Sequence, residues 1–117
     1  MTEVAVESAA QWEAWLDEHH ESESEVWLVY WKKASGRPSV ALGDLVEVAL
    51  KFGWIDGRVQ RLDEQRYRQR WTPRRPRSTW TRGNREIALR HIAAGEMRRL
   101  GLAAVEAAKA SGQWDSA

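Results

Sequence analysis

The chain has 117 residues, 43% of them hydrophobic, a formal net charge of +1 and no cysteine. That length suits one domain with its own core, the missing cysteine excludes disulfides, thiol nucleophiles and thiolate metal sites, and no run approaches the roughly 18 apolar residues of a membrane span. The opening "MTEVAVESAAQW" has no basic region ahead of an apolar run, so a cytoplasmic prokaryotic protein is the expectation rather than a secreted one.

"SAAQWEAWLDEHH" reads as the first helix. Ser8 and Gln11 have the spacing of a capping box, and Trp12, Trp15, Leu16 and His19 recur on one face. "EVWLVYWKK" follows as a strand rich in β-branched and aromatic residues, with Trp27, Val29 and Trp31 on one side and Val26, Leu28 and Tyr30 on the other. Both sides are apolar, which predicts a central position in a sheet. "SGRPS" is a turn. "GDLVEVALKFG" is a second helix, buried along Leu45, Val48, Ala49 and Phe52 and closed by Gly53. "GWIDG" then reads as a short turn carrying Asp56.

Two strands, "GRVQRL" and "QRYRQRWT", are predicted next, joined through Asp63 and Glu64. Alternation puts Tyr67, Gln69 and Trp71 on one face and Arg66, Arg68 and Arg70 on the other. That arginine row must meet solvent, acids or a ligand, because unpaired arginines are not buried. "STWTRGNREIALRHIAAG" is a third helix with Ser78 and Thr81 as capping candidates and Ile87, Ala88, His91 and Ile92 as its stripe. "RRLGLAAVEAAKASG" is a fourth, closed by Gly112, with Trp114 beyond. The order α-β-α-β-β-α-α predicts a single α+β domain with a small, mostly antiparallel sheet packed by helices.

Charge is distributed unevenly. Met1 to Glu25 holds eight acids and no Lys or Arg, whereas Arg58 to Arg85 holds ten arginines against Asp63 and Glu64 alone. The densest part, "RWTPRRPRSTW", admits three uses. Its P-x-x-P spacing suits a polyproline docking motif. Arg74, Arg75 and Arg77 ahead of a helix start at Ser78 to Arg82 suit an anion cradle of guanidinium forks and unpaired N–H groups. The same arginines could instead be a strut paired with the chain's own acids, with Trp71 and Trp80 stacked on guanidinium groups. Conventional catalysis finds no support: there is no G-x-S-x-G elbow, no G-x-G-x-x-G loop and no H-x-x-x-H pair, and nothing asks for a metal or cofactor. No catalytic residue is assigned, although Asp56 facing Lys33 or the arginines could orient a ligand.

Taken together, "VWLVYWKKASGRPS", "VALKFGWIDG", "LDEQRYRQRWTPRRPRSTWTRGN" and "GLAAVEAAKASGQW" resemble the YdeI/OmpD-associated family, also called bacteriocin-protection proteins, from Trp12 to Trp114. The resemblance covers that family's N-terminal domain. It implies an α+β fold, a link to tolerance of antimicrobial peptides, and motif positions at Lys32, Lys33, Trp54, Asp56, Gly57, Arg74, Arg75, Arg77, Ser78, Trp80 and Asn84. The leading expectation is a small binding or stress-tolerance protein whose ligand site comprises Lys33, Trp54, Asp56, Arg74, Arg75, Arg77, Ser78, Trp80 and Asn84 and takes a small anionic or aromatic ligand. Two alternatives stand beside it: a ligand-modifying enzyme using Asp56 and Lys33, and a nucleic-acid-binding accessory module without sequence-specific duplex recognition.

Overall fold

The computed structural model describes residues 2–117. Its elements are β1 (Glu3–Ala5), α1 (Ala9–His19), β2 (Val26–Trp31), a single 3-10 turn (Lys33–Ser35), α2 (Leu42–Phe52), β3 (Trp54–Arg61), β4 (Arg66–Pro73), α3 (Arg82–Ala93) and α4 (Arg99–Ser111). The strands form one mixed sheet in the order β1-β2-β4-β3, parallel between β1 and β2 and antiparallel elsewhere. This is the expected α+β order with β1 added in front. β1 was invisible in the sequence because three residues carry no periodicity; it exists by pairing Glu3, Val4 and Ala5 with Trp27, Leu28 and Val29.

The Ser8 hydroxyl accepts the Gln11 N–H, and the Gln11 side chain accepts the N–H of Glu7 rather than of Ser8. The box closes one residue early, but it still satisfies donors at the start of α1. Trp12 and Leu16 then drop into a core shared with Val26, Leu28, Tyr30, Leu45, Phe52, Trp54 and Trp71. Helices α1 and α2 thus cover one face of the sheet. Trp12 is fully buried, and its indole N–H donates to the Leu45 carbonyl at 3.1 Å. A second core under α3 and α4 gathers Leu50, Trp80, Ala88, Val105, Ala108 and Trp114.

Three local expectations are corrected. Asp56 does not occupy a turn: Gly53, in the left-handed conformation at φ 78°, reverses the chain alone, and β3 begins at Trp54, with Asp56 opposite Trp71. Of the two capping candidates for α3 only Thr81 serves, its hydroxyl accepting the Asn84 N–H; Ser78 does not, because Trp80 is drawn into the second core and the helix begins at Arg82. On α3 the buried side chains are Ala88 and His91, while Ile92 is exposed, since α2 receives a narrower face than the predicted stripe.

Candidate anion-binding cleft

The segment after β4 is fixed at both ends. The Arg74 N–H donates to the Gly53 carbonyl at 2.8 Å, tying the start of the basic loop to the end of α2. A Cβ on Gly53 would stand 2.7 Å from the Leu100 carbonyl oxygen, so α4 also presses against this point. Four residues on, the Arg75 N–H donates to the Ser78 hydroxyl at 2.9 Å and the Ser78 N–H returns to the Arg75 carbonyl at 3.0 Å. Ser78 therefore closes a tight turn instead of capping a helix. Pro73 and Pro76 are built into this folded segment, so "PRRP" is not a free docking tail.

Within that turn the arginines have different jobs. Arg74 folds inward, its guanidinium 4.1 Å from the centroid of the Trp80 ring and its Nη1 donating to the Thr79 carbonyl at 3.0 Å. Behind it Trp80 meets Trp114 edge-on at 5.2 Å. Burial pushes the Arg74 guanidinium down to about 10, and the Asp56 carboxylate offsets part of that. Arg74 is a strut. Its Nε is buried without a hydrogen-bond partner. Arg75 and Arg77 are exposed and make no side-chain ion pair among the described residues.

Arg74 and Arg75 separate two adjoining cavities. One, of about 510 Å³, is lined by Ser24, Ile55, Arg70, Thr72, Pro73, Arg74, Arg75 and Ser78. It contains three guanidinium groups and three hydroxyls, and no carboxylate lines it. The other, of about 390 Å³, has an apolar wall of Phe52, Pro73, Leu100 and Ala104 and an acidic rim at Glu21 and Glu23. The two share Ser24, Pro73, Arg74 and Arg75.

Of the expected site residues, Arg74, Arg75 and Ser78 are brought together here, and Trp54 reaches the apolar cavity while its side chain is 1% exposed and held among Trp12 and Trp15. Asp56 contributes through its field on Arg74. Trp80 stands behind Arg74 as its platform, and Asn84 sits in the first turn of α3, outside either cavity's lining. Arg77 also lies outside both linings. Lys33 is remote: Asp56 pairs with Trp71, which pairs with Val26, whereas Lys33 follows Trp31 at the far end of β2. Five strand steps separate Val26 from Trp31, about 16 Å, and Lys33 lies beyond that end in the 3-10 turn. Asp56 and Lys33 therefore do not form one constellation. Ser24, Thr72 and Ile55 were missed, and only Thr72, alternating in phase with the arginine row, carried a readable signal.

Among the described residues no group of three or more His, Cys, Asp or Glu could hold a metal ion, and no helix is long and apolar enough to cross a membrane. No curated protein and no solved structure matches the chain at a significant level. One family model does match, the domain of unknown function DUF8412, over residues 4–104. With most of its length in that match, from β1 through the first half of α4, the chain belongs to the DUF8412 family.

Proposed function

We propose that the protein is a binding protein for a small organic anion whose apolar or aromatic body enters the cavity beside α4 while its charged group meets Arg75. The observation that carries this is the cavity of three arginines and three hydroxyls with no carboxylate in its lining, opening at Arg74–Arg75 onto an apolar one. Arg74, rigid on Trp80, positions its neighbour. Arg75 supplies a planar fork suited to carboxylate or phosphate. The serine and threonine hydroxyls can donate to the remaining anion oxygens. The resemblance to bacteriocin-protection proteins supports placing such binding in stress tolerance.

Titration of tryptophan fluorescence with naphthoate, inorganic phosphate and sulfate tests the reading. Naphthoate should give a saturable response tighter than either inorganic anion. Arg75→Ala should weaken it about tenfold, since a charge-assisted hydrogen bond contributes about 1.5–3 kcal/mol. No saturable response at millimolar anion would remove the cleft as a binding site.

A further inference from the structure

The second face of the sheet carries no helix. Its residues follow from the register: Glu3 and Ala5 on β1; Trp27, Val29 and Trp31 on β2; Arg66, Arg68, Arg70 and Thr72 on β4; and Gln60 on β3. Cross-strand pairing sets Trp27 opposite Arg70, Val29 opposite Arg68, and Trp31 opposite Arg66. An expected central strand with two apolar sides has one of them roofed by arginine instead of by a helix.

Two indole stations result. At one, two guanidinium groups lie near the Trp31 ring, Arg37 at 4.4 Å and Arg66 at 5.5 Å from its centroid. At the other, Arg68 lies 4.5 Å over Trp27, and Trp27, Arg58 and Arg70 line a recess of about 450 Å³. A bulge in β3 between Asp56 and Val59 swings Arg58 toward that recess. The stations are four residues apart on one strand, about 13 Å, and the arginines between them repeat every second residue, about 6.6 Å.

We propose that this face binds single-stranded nucleic acid, with phosphates tracking the Arg66–Arg68–Arg70 row and bases stacking at Trp31 and in the Trp27 recess. Charge complementarity and the two-residue repeat favour an extended chain of phosphates. Glu3, Glu25 and Asp63 answer Arg68, Arg70 and Arg66 in turn. The Arg66–Asp63 and Arg70–Glu25 pairs are exposed and weak, so phosphate can compete for those donors, whereas Arg68, more buried and also bonded to Gln60 through Nε and Nη2, stays fixed between them. Arg58 has no acidic partner among the described residues, and Arg37 is held only by the indole and its loop. No helix or ribbon projects from the face to enter a major groove, which disfavours duplex. Arginines surround its few partly exposed apolar side chains, Val29, Trp31 and Ile55, which disfavours a bilayer.

The test uses fluorescence anisotropy of a labelled oligothymidylate of about twelve nucleotides with the intact protein. Micromolar binding is expected, with log K falling against log salt at a slope of about −2 to −3, as three or four phosphate contacts require. The double variant Arg37→Ala/Arg58→Ala changes two exposed side chains and should weaken binding at least tenfold with an unchanged melting curve. Trp31→Phe should retain part of the affinity that Trp31→Ala loses. Arg75→Ala should alter oligonucleotide affinity less than twofold while weakening the naphthoate response about tenfold, so either site can fail without the other. Absence of binding at about 100 μM protein, or indifference to the double variant, would overturn the proposal. Equal binding to a duplex of the same length, or to vesicles containing phosphatidylglycerol, would likewise overturn it in favour of a general polyanion surface.

Discussion

Gly101 should be intolerant of alanine although it lies inside a helix where alanine normally stabilises. Gly→Ala at an exposed helical position gains about 1 kcal/mol. Here the added Cβ would lie 2.1 Å from the Lys51 carbonyl oxygen, 2.7 Å from its carbon and 3.1 Å from the Leu50 oxygen. Ordinary contact begins at 3.4 Å, so α4 would have to retreat from α2 by more than an ångström. The Lys51 carbonyl cannot turn aside freely, because it accepts the Arg98 N–H at 3.0 Å. Overpacking against fixed backbone costs about 1–3 kcal/mol and occasionally more. A 2.1 Å contact with backbone belongs at the top of that range, so with the propensity gain subtracted a net loss of about 2 kcal/mol is expected, a fall of roughly 8 °C in midpoint for a domain of this size. Gly83→Ala is the matched control: its nearest neighbour is Thr81 Oγ1 at 4.0 Å, so it should be neutral or stabilising. Urea and thermal denaturation of both variants decide the matter. If Gly101→Ala is as stable as the parent, the close crossing of α2 and α4 is wrong, and so is the cavity wall that Leu100 and Ala104 provide.

Three further outcomes follow from the packing. Trp54→Ala should cost about 3–5 kcal/mol in chemical denaturation, since this 1% exposed indole meets Trp12 and Trp15 edge-on; a loss under about 1 kcal/mol would show an exposed residue. Arg74→Ala should lose about 2–4 kcal/mol through the Thr79 hydrogen bond and the Trp80 contact, against under about 0.5 kcal/mol for Arg75→Ala; equal costs would abolish the distinction between strut and anion contact. Burial, with Tyr67 and Asp56 nearby, pushes the Tyr30 phenol well above its usual range. The unfolded phenol ionises near pH 10 while the folded one stays protonated, so this group's contribution is intact below about pH 10 and lost as pH rises past it. Tyr30→Phe should flatten the alkaline limb of a stability–pH profile, and an unchanged limb would refute that assignment.

The elements were legible wherever one physical signal dominated. Periodicity located α1 and α2, β-branched and aromatic richness located β2, alternation located β4, and Gly53 and Gly112 marked helix ends through the left-handed conformation they adopt. Tertiary packing decided what the sequence left open. Trp80 has the same local surroundings as any aromatic beside arginine, yet its burial against Trp114 delays α3 by several residues. Trp71, expected beside the arginines as a stacking surface, is fully buried because β4 alternation sends it to the helix side. The site was half legible. Arg74, Arg75 and Ser78 lie together in sequence and in space, whereas Ser24 arrives from the α1–β2 loop, a proximity only the sheet register creates.

Whether the arginines are a strut or a binding surface resolves differently for each residue, and the chain's near-neutrality explains why. The eight acids before Val26 could in principle cancel the basic segment, but three of them engage elsewhere. Glu13 reaches Lys51 at 2.7 Å, Asp17 reaches Arg98, and Glu21 reaches Arg99 at 2.8 Å, so α1 binds chiefly to α2 and the start of α4. Only Glu3 and Glu25 cross to the arginine row. Among the described residues that leaves Arg37, Arg58, Arg61, Arg75 and Arg77, all exposed, without acidic side-chain partners. Unmatched guanidinium groups on one side, with acids committed on the other, give an electrically lopsided molecule despite its +1 charge. Such a field draws anions toward the cleft and the open sheet face and weakens with salt. The strut needs none of this surplus: Arg74 is held by Trp80 and the Thr79 carbonyl, and the unpaired guanidinium groups are the ones on which the proposed anion sites depend.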